Sequence, residues 1–438
     1  MTSNARVLLL DETEEATDLA ARIQQRGYDA ITASGDAGAA AVAAENPDLV
    51  LINADRAGSL AMTRALKSER ATRSIPIMLS TSERLADHHG PGFDAGADDV
   101  VEFPISDAGL FGRVRSLVRL NNLYRELMRR RDTMERFAID LPPKNLDTVE
   151  LAGARVLVLG TAATDEMVTP LGGDFGVTRT TRPHEALDRL GEDSYDAILV
   201  FAGPGEGEAM LTFCADVRNN ASLFNLPLLL IVADPALQDA DEAYRRRVSD
   251  VLFEPVRPEE LRQRTLAWTR QQRYRKNLLQ ASRNPAHIYT LDGLTTLFSR
   301  GFMLDYLSSL IEDCEKFDKS FSVSFFEIRG MAEINAENGY SSGDHLIRQI
   351  GQLIGQLVRS EDLAARYRGK EICIVLPETP GEVARMVMGR IASVVQRTDF
   401  LVMGCMKVLN ADLAFGVAEF RRGDTAIELI QRSMEASR

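Results

Sequence analysis

Short, wholly apolar runs recur along this chain, separated by longer segments in which alanine and charged residues repeat with helical period. "ARVLLLDETEE" at 5 returns as "ARVLVLGTAAT" at 154, and "PDLVLINADRAG" at 47 is echoed by "YDAILVFAGPGE" at 195. "SIPIMLSTS" at 74 matches "NLPLLLIVAD" at 225, and "ADDVVEFPIS" at 97 matches "VSDVLFEPVRP" at 248. The repeat has a period of about 150 residues. A strand with no polar alternation has both faces buried, which is the mark of a parallel sheet wrapped by helices on either side. Each copy therefore predicts a doubly wound (βα)5 unit whose functional groups gather at the carboxyl ends of its strands.

A charged helical stretch follows each copy: "FGRVRSLVRLNNLYRELMRRRDTMERF" and then "LRQRTLAWTRQQRYRKNLLQASR". Such Arg-rich helices read as solvated faces or connecting stalks. The first runs into "DLPPKN", whose Pro142 and Pro143 predict a linker. From about 285 the pattern turns to strands and helices of antiparallel, α+β character. Within it, "LAARYRGKEICIVLPET" at 363 predicts a hairpin whose tight turn packs Arg368, Lys370 and Glu371 together. The expected domains are 1–140, 150–283 and 284–438.

Composition narrows the class. With 45% apolar and 26% charged residues the chain is an ordinary globular protein, and its length suits about three domains. A net charge of −13 argues against general binding to DNA, which rewards Lys and Arg, so an anionic ligand needs a local basic site. Cysteines at 214, 314, 373 and 405 show neither metal spacing nor a disulfide framework, and read as buried hydrophobes in a reducing cytoplasm. The longest apolar run, "LPLLLIV" at 226, is too short to span a bilayer, so no membrane insertion is expected.

Each repeat resembles a response-regulator receiver domain. In that family an acidic pair after the first strand holds Mg²⁺, an Asp ending the third strand accepts phosphate, and a Thr and a Lys answer to it. The first copy keeps Asp11, Glu12 and Thr81, but Asn53 stands in the acceptor slot and Phe103 in the lysine slot. An amide cannot accept a phosphoryl group; Asp55, two residues on, is the nearby carboxylate, and the missing lysine argues against its use. The second copy has Gly160, Thr161, Phe201, Val232 and Glu254 in the five places and retains only the scaffold. Inert receivers of this kind imply docking or homodimerisation modules.

The third region resembles the GGDEF, or diguanylate cyclase, domain. "LDGLTTLFSRGFM" at 291 and "FSVSFFEIRGMAEINAENGYSSGDHLI" at 321 follow its segments, and Arg368, Gly369, Lys370, Glu371 and Ile372 fill the five signature places. The order receiver, receiver, GGDEF is that of the PleD type of response regulator, and the erosion resembles its non-catalytic PopA branch. Joining two GTP molecules needs carboxylates that hold divalent cations against the triphosphates. Here the first metal position is Glu327, the second is Arg329, and the signature carboxylate is Lys370, which inverts the local field. Arg368 crowds the space a glycine leaves for substrate, and Met331 and Ala332 replace the triphosphate segment. Asn335 and Asp344 stand where the family holds guanine, and read equally as a turn residue and a helix-start residue satisfying backbone groups.

"RSED" at 359–362 is placed like the family's allosteric product site, R-x-x-D. Arg359 offers a planar fork to a phosphodiester or to guanine O6 and N7, Asp362 accepts from guanine N1 and N2, and Arg390 stands where the family's second arginine lies. The expectation is a non-catalytic cyclic di-GMP receptor that needs no cofactor and relays ligand to protein partners through receiver and GGDEF surfaces. The likeness further implies a cytoplasmic, pole-recruited, homodimeric adaptor that delivers cell-cycle regulators to regulated proteolysis. The alternatives are a residual diguanylate cyclase using Glu327 and Glu371, and a scaffold that needs no nucleotide.

Overall fold

A computed structural model describes residues 5–35, 38–82, 85–137, 151, 153–220, 223, 225–234, 237, 240–246, 248–281, 290–402 and 407–437. The proposed linker prolines, the junctions between the three expected domains and Cys405 lie outside these residues.

The first apolar repeat forms a five-stranded parallel sheet. Strands Arg6–Leu10, Asp29–Thr32, Leu49–Asn53, Ile77–Thr81 and Asp99–Glu102 stand in the spatial order second, first, third, fourth, fifth. The second repeat copies that order with Arg155–Leu159, Gly176–Thr180, Ala197–Ala202, Leu228–Val232 and Asp250–Phe253. Equivalent strands "RVLLL" and "RVLVL" bury the same positions, as their repeated sequence predicts. Thr13 and Thr164 start the first helix of each copy by accepting a backbone N–H, with acidic residues in the first turn where the helix dipole favours them.

Each sheet ends in a long helix, Asp107–Arg136 and Pro258–Ala281, and the two repeats face each other along these helices. Arg113 pairs with Asp99 at 2.8 Å, Arg264 pairs with Asp250 at 2.5 Å, and Arg113 also reaches Glu260 at 3.3 Å. Gln271 Nε2 donates to the Ser116 carbonyl and hydroxyl at 2.8 and 2.7 Å, and Tyr124 meets Tyr274 edge-on. Arg113 and Arg264 are therefore not on the solvated face that composition predicts, whereas Arg115 and Arg119 are exposed. Arg113 and Arg264 each neutralise a buried Asp of their own sheet, and Arg113 also bridges the seam to Glu260.

The third region holds a four-stranded antiparallel sheet in the order Leu363–Arg368, Glu371–Pro377, Phe321–Arg329, Asp412–Glu419. Alternate side chains feed two cores. Phe326, Ile328, Ile372 and Ile374 pack under helices Tyr340–Leu357 and Gly381–Gln396, while Val323, Phe325, Cys373 and Val375 pack under Arg300–Phe317 and Ala426–Glu435. Met134, from the end of the first long helix, enters this second core, and Phe137 packs on Phe302. That helix is thus shared between the first sheet and the third domain. Its Glu126 accepts from the Tyr306 hydroxyl at 2.7 Å and from Arg130 Nε at 2.6 Å, all three groups being buried.

Candidate functional site

The hairpin turn lies where the sequence places it. Gly369 takes φ +50°, a left-handed conformation that glycine adopts without strain, and closes the turn between Arg368 and Lys370. Pairing of the flanking strands sets Glu327 directly opposite Glu371. Both carboxylates then meet a protein cation: Lys370 Nζ lies 2.9 Å from Glu327 Oε1, and Arg368 Nε lies 2.5 Å from Glu371 Oε2. Behind them Arg366 forms an ion pair with Asp292 at 3.2 Å. Arg329 is exposed on the same strand end. Cations of the chain itself thus pair with both carboxylates at this turn.

Asn335 sits within the helix Met331–Asn338, which corrects its expected place in a turn; helical φ,ψ continues to Asn338 and Gly339 makes the break. Asp344 is exposed on the helix Tyr340–Leu357. Asn335 packs against the first turn of that helix, where a Cβ at Gly343 would fall 2.0 Å from Asn335 Oδ1. That Oδ1 is buried and finds no donor among the described residues.

The "RSED" segment forms the turn between Tyr340–Leu357 and Leu363–Arg368. Asp362 points inward: it is buried, its Oδ2 accepts from the Arg359 backbone N–H at 2.9 Å, and its Oδ1 has no partner among the described residues. Burial, helped by the neighbouring Glu361 charge, pushes its carboxyl up to about 7. Arg130 Nη2 donates to the Asp362 carbonyl at 2.9 Å, tying this turn to the first long helix. Arg359 projects outward and, with Glu361, lines a cleft of about 890 Å³ against that helix. Arg390 is exposed on Gly381–Gln396 outside the cleft, so Arg359 is the one member of the expected set that lines it.

In the first receiver-like sheet, Asp11, Asn53, Asp55 and Thr81 gather at the strand ends around a cavity of about 530 Å³, whereas Glu12 is exposed beside it. Asn53 Nδ2 donates to Asp11 Oδ2 at 3.0 Å, and Arg56 Nη1 lies 3.1 Å from Asp11 Oδ1. Burial raises the Asp11 carboxyl, but hydrogen bonds from Asn53 and Thr13, together with the Arg56 charge, hold it below the ordinary value. Asp55 accepts from the Thr81 hydroxyl and, at 2.8 and 2.7 Å, from the N–H and hydroxyl of Ser82. Arg56 and Ser82 escaped the sequence reading because a single Arg or Ser beside an acidic residue carries no spacing signal.

The second copy is filled. Phe201 is fully buried, and Gly160, at φ +128°, runs so close that a Cβ there would fall 2.3 Å from the Phe201 carbonyl oxygen. Only glycine fits that approach. Thr161 instead donates to Glu206 Oε1 at 2.8 Å, Val232 is buried in its strand and Glu254 is exposed.

Residues 289–438 match the family model of the diguanylate cyclase GGDEF domain. Over 440 residues the chain is 28% identical to the response regulator PleD of Caulobacter vibrioides, covering 99% of this chain and 96% of that protein. It is 30% identical over 155 residues to the diguanylate cyclase DosC of Escherichia coli, covering 34% of this chain and 32% of that protein. Among solved structures it is similar to the GGDEF domain of DgcB from Caulobacter crescentus in complex with c-di-GMP, with 24% identity, a TM-score of 0.33, and coverage of 34% of this chain and 85% of that one. The chain is thus similar over its whole length to PleD, with two receiver-type α/β domains ahead of a GGDEF domain.

Proposed function

We propose that this chain is a non-catalytic receptor for cyclic di-GMP, a PopA-like branch of the PleD type. One observation carries the reading: Lys370 and Arg368 neutralise the two carboxylates, Glu327 and Glu371, on which a cyclase's divalent cations would depend. A divalent ion entering there meets an ammonium at contact distance of its first ligand, and the repulsion outweighs what one remaining carboxylate offers. Arg359, in contrast, presents a guanidinium to a cleft. Loss of chemistry beside a kept anion-binding group is the make-up of a sensor.

The receptor then works by population: ligand must prefer one arrangement of the domains to another. In the first receiver, Arg56 on Asp11 and the donors on Asp55 engage both of these carboxylates, which supports a domain that does not switch by phosphorylation. Delivery of partner proteins to regulated proteolysis at a cell pole, in the cytoplasm and as a homodimer, completes the reading. Titration calorimetry with cyclic di-GMP, beside a GTP turnover assay with Mg²⁺ or Mn²⁺, tests it: binding without turnover is expected, and turnover would assign the chain to the cyclases instead.

A further inference from the structure

The third domain carries an exposed basic strip that the receptor reading leaves unused. We infer that this strip is a docking site for an acidic segment of a protein partner, held by Arg300 and Arg329 on either side of the hairpin turn. The inference stands apart from the identity of the nucleotide, because the strip lies at the far end of strand Leu363–Arg368 from the turn at 359–362.

Strand alternation places the residues. Phe325 points into the core beneath helices Arg300–Phe317 and Ala426–Glu435, so Glu327 and Arg329 follow it onto the same face. On the neighbouring strands Cys373 and Ala365 face that core, and Glu371 and Tyr367 continue their rows outward. Tyr367 accordingly meets the Phe325 ring edge-on at 5.9 Å. Arg300, at the start of its helix, lays its guanidinium over the Tyr367 ring at 4.7 Å, with Nη2 3.5 Å from the hydroxyl. Tyr367 thus holds the planar fork of Arg300 in place, which lowers the entropy lost when that fork takes a carboxylate through two parallel N–H bonds.

Charge decides what the strip can take. Lys370 is tied to Glu327 at 2.9 Å, Arg368 to Glu371 at 2.5 Å and Arg366 to Asp292 at 3.2 Å, and these three pairs cancel. Arg300 and Arg329 are exposed, and among the described residues neither has a carboxylate within ion-pair distance. The strip therefore keeps two positive charges on a chain of net charge −13. That local excess marks it out from the rest of the surface.

Spacing and range favour a short acidic peptide. Strands stand about 4.8 Å apart, so Tyr367 and Arg329, with one strand between them, are separated by about 10 Å across the sheet. On one face of an extended peptide, carboxylates two or four residues apart lie about 7 or 13 Å from each other, which brackets that span. Charges more than about 10 Å away are screened at physiological salt, so a short segment responds to the strip and not to the whole molecule. A nucleic acid or an anionic membrane is the poorer fit, because its charge extends past the two guanidiniums over an acidic chain.

The test is fluorescence anisotropy of a short labelled peptide with glutamate at alternate positions, titrated at low salt with the nucleotide-free full chain. A uridine oligonucleotide and phosphatidylglycerol vesicles are titrated in parallel. Saturable binding of the peptide is expected, weakened at least tenfold in Arg300→Glu and in Arg329→Glu. Arg348→Glu, the same charge change on the helix Tyr340–Leu357 across the sheet, is expected to change little. Melting curves confirm that each variant is folded. No peptide binding, equal loss in Arg348→Glu, or tighter binding of the oligonucleotide or the vesicles overturns the inference. Cyclic di-GMP titration of the Arg300→Glu and Arg329→Glu variants is expected to match the wild type, so failure of the docking site and failure of the receptor reading are told apart.

Discussion

A single ammonium decides the chemistry of the hairpin. Lys370 stands 2.9 Å from Glu327, close enough to replace the charge of a metal ion without its open coordination positions. Replacing it by Glu should restore a carboxylate beside Glu327 and Glu371, and Mn²⁺ titration of Lys370→Glu is expected to show binding at least tenfold tighter than the wild type. Equal and negligible binding would mean that Arg329 and Arg368 close the site on their own. Asp362 gives a second prediction. Its unfolded-state pKa is near 4, and in the fold it titrates near 7. Between those values the native state keeps a proton that the unfolded chain has lost, so stability falls as pH rises through that window and levels off above it. Asp362→Asn keeps an acceptor for the Arg359 N–H, and denaturant unfolding at pH 8 should show it more stable by on the order of 2–4 kcal/mol, with no gain at pH 4. That Arg368, Lys370 and Glu371 gather at the hairpin turn was legible residue by residue. The inward turn of Asp362 was not, because R-x-x-D spacing fixes the backbone turn and says nothing of which face the carboxylate takes.

At the scale of elements, the helix Asp107–Arg136 carries the most structural information that sequence pattern concealed. Its arginines look like a solvated stalk because charge and helical period are all that the sequence displays, while their partners lie in distant segments. Arg125 and Lys319, from different domains, converge on buried Asp48, whose carboxyl they hold below its ordinary value against the effect of burial. Asn121 adds a further donor at 3.3 Å, and Asn122 reaches Glu378 across the same seam. Removing Arg125 leaves the buried Asp48 charge held by Lys319 and Asn121 alone, at a cost of up to about 3–5 kcal/mol, that of a broken buried pair. Arg125→Ala should therefore lower the unfolding midpoint sharply, whereas Arg131→Ala, on the exposed side of the same helix, should cost under about 1 kcal/mol. Similar losses in the two would show that the seam does not hold the helix. The sheets, by contrast, were readable before any packing was known: wholly apolar strands, repeated in order, dictate a parallel sheet covered on both faces.

For the whole molecule, the two receiver-type domains use their terminal helices on each other and the first of them also on the GGDEF domain. The cleft that Arg359 lines lies at the place where these domains meet. Fold and order of domains followed from the repeat and from the hairpin register, but this junction could not, since pairing between domains leaves no periodic trace in a single sequence. The proposed receptor function requires a cyclic di-GMP site that includes Arg359. Calorimetric titration of cyclic di-GMP into the wild type and Arg359→Ala tests it most directly. Saturable binding by the wild type that weakens at least tenfold in the folded variant is the predicted result, and absent heat in the wild type, or equal affinity in the two, contradicts it.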